Sequence, residues 1–157
     1  MRLFVVTALA IACSACASTP HLADTSMCEH LDSWAKIVPA GQSSTVKLIR
    51  GGMWMVNHYK TCEHSDGDKA AGVFCEWLME NTSTEFMESN INRSITCLQG
   101  QRIAGPSGNT GIESWSGKAT FYSPQLATAD VQIDLEYSLD NSKESGEDFL
   151  QFTVRAL

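Results

Sequence analysis

The sequence predicts an α+β fold, with N-terminal disulfide-linked helices packed on a C-terminal three-stranded antiparallel meander. Three observations lead there. In residues 131–139, Val131, Ile133, Leu135, Tyr137 and Leu139 alternate with Gln132, Asp134, Glu136 and Ser138, the period of two that marks a sheet with one wet face. Residues 27–100 instead carry apolar side chains at helical spacing, with capping residues at the breaks. The cysteines beyond residue 17 are Cys28, Cys62, Cys75 and Cys97, an even set that reads as two disulfides.

Taken in order, Leu31, Trp34 and Ile37 or Val38 recur at helical spacing from Met27, and Pro39-Ala40-Gly41 ends the run. Residues 44–60 admit two readings. Val46, Ile49, Met53 and Val56 form one helical stripe and Leu48, Gly52, Met55 and Tyr59 another, with Ser44 as N-cap. Alternatively Gly51-Gly52 is the two-residue turn of a hairpin between 45–50 and 53–59. The helix is favoured because neither arm alternates cleanly. Residues 69–81 place Ala70, Phe74, Trp77, Leu78 and Asn81 at helical spacing. Thr82-Ser83-Thr84-Glu85 then reads as a capping box, Phe86, Met87, Ile91, Ile95 and Leu98 as an apolar helix face, and Gly100 as its stop. After the glycine-rich loop 105–111 come three strand-like runs, 113–123, 130–139 and 148–155, with a hairpin loop at 140–146. If the helices meeting at Asn81 and Thr82 form an antiparallel hairpin, Cys97 lies near the residues before the first of them. Of the three possible pairings, that favours Cys62–Cys97 with Cys28–Cys75.

The chain opens Met1-Arg2 and runs apolar to Ala12 before a small-residue stretch, the layout of a signal peptide over residues 1–17. Its apolar core is about ten residues, short of the roughly 20 that span a bilayer. The stretch Ala12-Cys13-Ser14-Ala15-Cys16 resembles the bacterial lipobox, which implies acylation of Cys16, with Cys13 as the alternative. Simple cleavage after Ala17 competes with both. Residues 18–26 read as a polar tether and 27–157 as a single domain, helical over 27–100 and mainly β over 101–157. The expected location is the periplasm, with the protein held at the outer membrane by lipid alone.

Removing Arg2 with the leader takes one from the 11 basic residues, leaves the 18 acidic ones and moves the formal charge from -7 to -8. Such a surface repels nucleic-acid phosphates and is suited to a basic protein partner. The sequence has no Gly-x-Ser-x-Gly elbow, no His-Glu-x-x-His helix and no Walker loop, and no cofactor is expected. Cys28-Glu29-His30 and Cys62-Glu63-His64 repeat a tripeptide that could bind zinc, but oxidised cysteines cannot ligate it, so no metal is expected. Asp66-Gly67-Asp68 lacks the further oxygens of a calcium loop and reads as a turn before a helix. Asn81-Thr82-Ser83 and Asn92-Arg93-Ser94 match the glycosylation sequon, with both asparagines on helices. The candidate partner-binding residues are Asn109 in the glycine loop, Trp115 as an aromatic anchor at its base, and Asp134 and Glu136 on the polar strand face.

The block 48–98, with its paired glycines, Cys62, Phe74-Cys75, Trp77-Leu78, Asn81 and a last helix closing on Cys97, resembles small periplasmic immunity proteins that protect against type VI secretion effectors. The resemblance implies a disulfide-bonded domain that binds and blocks a toxic enzyme. The strands beyond residue 113 are additional to that mostly helical family, and no family residue roles transfer. The leading expectation is therefore a non-enzymatic inhibitor or immunity lipoprotein. Its alternatives are a small-ligand-binding or hydrolytic envelope enzyme using His58 or His64 with nearby carboxylates, and a structural or assembly lipoprotein.

Overall fold

The computed structural model describes residues 25–52, 57–99, 114–122, 130–140 and 147–157. The leader, Cys13, Cys16, most of the tether, Gly100, the glycine loop with Asn109 and the hairpin loop 141–146 lie outside the described residues. Three helices, α1 (Thr25–Ala35), α2 (Lys69–Asn81) and α3 (Met87–Gln99), cover one face of a sheet. The sheet contains β1 (Ser43–Gly51), β2 (Tyr59–His64), β3 (Ser114–Tyr122), β4 (Val131–Asp140) and β5 (Asp148–Ala156). Its order is β2-β1-β5-β4-β3, and each neighbouring pair is antiparallel.

The expected three-stranded meander is thus only part of the sheet. β3, β4 and β5 fall on the three predicted runs, but β1 comes from the segment 44–60 favoured as a helix and β2 runs from its end to His64, so two strands separate α1 from α2 and the helices do not form one N-terminal block. The clean alternation that would have revealed β1 is lost because Val46 and Leu48 are buried on the helix-covered face while Ile49 is buried on the other. Ile49 breaks an otherwise alternating burial pattern, and apolar residues on successive positions no longer separate a strand from a helix by period. Ser44 is not a helix cap but a buried β1 residue whose hydroxyl accepts from Trp34 Nε1 at 3.0 Å and donates to Asp68.

The paired glycines also have a different role from a two-residue turn, because Gly51 still pairs with Tyr59 in the ladder. The Tyr59 ring lies against Gly51 where a side chain would be, and Gly52 has φ 98° with the Asn57 carbonyl in the position of a Cβ. Close approach and a left-handed backbone both require glycine at position 52.

Between the layers, the register sets Val46 beside Phe152 and Leu48 beside Leu150. Phe152 meets Phe74 of α2 edge-on at 5.4 Å, and Phe74 stacks on Trp34 of α1 at 5.1 Å. Each such fully buried side chain contributes about 1.5–3 kcal/mol of transfer free energy. At one end of this layer Arg50 pairs with buried Asp148 and donates to the Glu85 carbonyl at 2.9 Å, tying β1, β5 and the α2–α3 connection together.

The helix ends follow local chemistry. Asp68 caps α2 by accepting from the Ala71 N–H at 3.0 Å, after Gly67 has turned the chain at φ 84°. The capping box expected at Thr82 and Glu85 does not form. The Thr82 hydroxyl instead donates to the Leu78 carbonyl, finishing α2, and Lys60 Nζ donates to the Thr82 carbonyl at 2.6 Å. Ser83 Oγ accepts from the Phe86 N–H at 2.9 Å, and Asn90 Oδ1 accepts from the Ser83 N–H at 3.0 Å, before α3 begins.

The disulfides are Cys28–Cys97 and Cys62–Cys75, not the favoured crossed pairing. The favoured pairing assumed that α2 and α3 form an antiparallel hairpin. In the fold α1 packs against both helices, so its Cys28 meets Cys97 of α3. α2 lies over the β1–β2 hairpin, so Cys75 meets Cys62 of β2.

Candidate functional site

The polar positions of the strands form the sheet face that the helices leave uncovered, and Asp134 and Glu136 both lie on it. Asp134 is only 6% exposed. Its Oδ1 accepts from Thr120 Oγ1 at 2.8 Å and Gln132 Nε2 at 2.9 Å, and its Oδ2 pairs with Arg155 at 2.8 Å. Burial raises the Asp134 carboxyl, but the bonds from Gln132 and Thr120, with the charges of Arg155 and Lys118, outweigh it and hold the group below its ordinary value. Glu136 faces Lys118 at 3.7 Å. The acidic groups of this face are therefore largely neutralised by their own neighbours.

Trp115 lies on the opposite, helix-covered side of the sheet, opposite Leu139 in the ladder and 4.9 Å from the Tyr137 ring. It is half-buried against the core. The structure thus separates Trp115 from Asp134 and Glu136 by the thickness of the sheet, while Asn109 lies outside the described residues.

Two concave regions flank α2. The first, about 260 Å³, is lined by the Cys62–Cys75 bridge, His64, Gly72, Glu76, Met79 and Glu80. It brings one of the two suggested histidines beside carboxylates, and His58 is not among its lining residues. The second, about 400 Å³, opens between the α1–β1 connection and the start of α2, with Ile37, Val38, Pro39 and Ala70 as its apolar wall. Asp68 at its floor is held below the ordinary carboxylate value: burial raises it, and bonds from the Ala71 N–H and Ser44, with His64 nearby, lower it further.

Just past the end of α1, Ile37 is 65% exposed, and on α2 Val73 is 60% exposed. Trp77 lies between these two helices, stacked on His30 at 4.9 Å with Arg93 over its ring at 5.9 Å. None of Ile37, Val73 and Glu80 was a sequence-level site candidate. The signal was available, since Val73 is an apolar residue on the polar side of the α2 stripe. Among the described residues, no group of three or more His, Cys, Asp or Glu side chains is placed to hold a metal ion. The repeated Cys-x-His units are divided between the two disulfides.

These features define a two-layer α+β domain, a five-stranded antiparallel sheet with three helices on one face, clipped by two disulfides. No protein-family model, curated protein or solved structure matches the chain.

Proposed function

We propose that this chain is an exported binding protein of the bacterial envelope, lipid-anchored to the outer membrane through Cys16, that inhibits a basic secreted or periplasmic enzyme as an immunity lipoprotein does. The observation that carries it is the disulfide pair, which engages every cysteine beyond the leader. Such bonds persist in oxidising compartments, and the apolar leader supplies the route to one. Acyl chains contribute ~0.8 kcal/mol per buried CH₂, so two or three hold a protein stably at a membrane. The inhibitory role draws on the acidic balance of the chain, 18 acidic against 11 basic residues, which steers basic partners at low salt.

Processing in a bacterial host tests the anchor. Globomycin or Cys16→Ser leaves the precursor uncut while Cys13→Ser does not; processing indifferent to all three points to ordinary cleavage after Ala17. Titration of the processed protein into basic wall hydrolases tests the inhibition. Activity falls stoichiometrically at low salt and recovers as salt screens the pair. Hydrolases that keep full activity at low salt remove the reading.

A second reading, a small-ligand-binding or hydrolytic enzyme, draws on His64 sharing its pocket with Glu76 and Glu80. Any activity of the purified protein that His64→Gln leaves unchanged counts against it.

A further inference from the structure

We infer that the outer seam of α1 and α2 is the docking face of this protein, and that its occupant is a basic protein which inserts a large apolar side chain beside Ala70 and lays cations along α2. The inference rests on the binding role proposed above and names its surface and partner chemistry.

The two helices run antiparallel, since Trp77 meets His30, Phe74 meets Trp34, and Ala70 shares a cleft with Ile37 and Val38. α2 buries Ala71, Phe74, Cys75 and Leu78. At about 100° per residue that sets Lys69, Val73, Glu76 and Glu80 on its outward crest. All four of these are exposed. Ile37 therefore presents aliphatic surface to solvent where it lines the 400 Å³ cleft, a volume within the range of ligand pockets, and Val73 does so one turn beyond Ala70 on α2.

Two polar side chains of that cleft, Ser44 and Asp68, are already satisfied within the protein. Ser44 Oγ is bonded to Trp34 and Asp68, and Asp68 also accepts from Ala71. An apolar side chain entering against Ile37, Val38 and Ala70 leaves the Ser44 and Asp68 bonds intact, so its burial is not offset by losing them. Trp77, fixed between His30 and Arg93, adds a rigid aromatic group of the kind that anchors interfaces.

Charge gives the occupant its sign and orientation. No basic side chain among the described residues pairs with Glu76 or Glu80, unlike Asp134 and Glu136 on the sheet. With a rise of about 1.5 Å per residue, these carboxylates lie roughly 9 and 15 Å beyond Ala70 along the helix. Lys69 stands at the cleft mouth and repels a cation there, so the partner's basic groups must lie towards Glu76 and Glu80. A second copy would bring the same carboxylates and a formal charge of -7 against this face.

Site-specific photo-cross-linking in cells that naturally make the full chain tests this, with p-benzoylphenylalanine at position 37, 73 or, on the outer sheet face, 116. The expected result is one adduct from 37 and 73, absent from 116, whose added mass is a protein of basic isoelectric point. With that protein purified, E76Q/E80Q lowers affinity at least tenfold at low salt, and less as salt rises, while both disulfides still form. An acidic adduct, one of twice the chain's mass, or an affinity unmoved by E76Q/E80Q overturns the inference. Adducts from 116 alone overturn it but leave the binding role standing, and no adduct from any position removes both.

Discussion

Asp134 shows how one residue departs from its sequence pattern. Its alternation with apolar neighbours places it on the wet sheet face, yet Thr120, Gln132 and Arg155 close around it and leave it 6% exposed. Gln132 is two residues away on the same strand, but Thr120 and Arg155 come from β3 and β5 and reach Asp134 only through the register, which no window of sequence records. A carboxyl held below its ordinary value contributes stability above the unfolded pKa and loses it as pH falls through the folded value. Asp134→Asn is therefore expected to cost about 1.5–3 kcal/mol at neutral pH, the worth of hydrogen bonds to a charged group. It is also expected to flatten the acid limb of the stability profile, and urea denaturation across pH 2–7 measures both effects. Asn92 makes the opposite case. It is 5% exposed on α3, and neither end of its amide has a hydrogen-bond partner. Leaving a buried polar group unsatisfied costs about 1–3 kcal/mol. Asn92→Leu is expected to raise Tm by a few degrees, and a thermal melt that falls instead would show that shape outweighs desolvation. The sequon at Asn92 is closed to modification by the same burial.

At the scale of elements, local chemistry was legible wherever one element carried its own pattern. α2 occupies the predicted 69–81, and β3, β4 and β5 lie within a residue or two of their predicted runs. Each has one buried face, so its period survives. β1 does not, and the two-faced burial of Val46, Leu48 and Ile49 made it read as a helix. The glycines beside it are held by close backbone and ring contacts. Gly52→Ala is expected to cost at least about 1–3 kcal/mol from backbone strain alone, with the Asn57 carbonyl in the way, as chemical denaturation would measure. The disulfides separate two kinds of link. Cys28–Cys97 closes 69 residues and joins α1 to α3, whereas Cys62–Cys75 closes 13 and pins β2 to α2. Loop entropy assigns them about 4 and about 3 kcal/mol respectively. The paired alanine replacement at 28 and 97 is thus expected to lower Tm more than that at 62 and 75. The reverse order would mean that holding the β2 edge matters more than chain entropy.

For the whole molecule the decisive feature is that the last strand is central. β5 lies between β1 and β4, pairing Val46 with Phe152 and Leu135 with the same Phe152 from the other side. Contacts this distant in sequence slow folding, since loop closure precedes any gain from the pairing. Removal of residues 148–157 is expected to abolish the cooperative transition altogether, because the β1–β2 hairpin and the β3–β4 pair share no other strand. A truncated chain that keeps a sharp melt and native near-ultraviolet dichroism would contradict that. The candidate site has the same origin. Trp115 and Asp134 seemed adjacent in a linear reading but lie on opposite sheet faces, while Ile37 and Ala70, far apart in the chain, line one cleft.

The sequence by itself determined the helices at α1, α2 and α3, the three C-terminal strands, and the even set of cysteines that forms two bridges. These are properties of short windows, in which one face is buried and the period or cap is written into neighbouring residues. Only the tertiary structure decided that the sheet has five strands, which cysteines pair, and which polar groups lie buried among their own partners. Each of those depends on which elements become neighbours across the β1–β5 ladder and beneath α1. That choice is made by complementary buried surfaces between distant segments, and a single window of sequence records only one side of each contact.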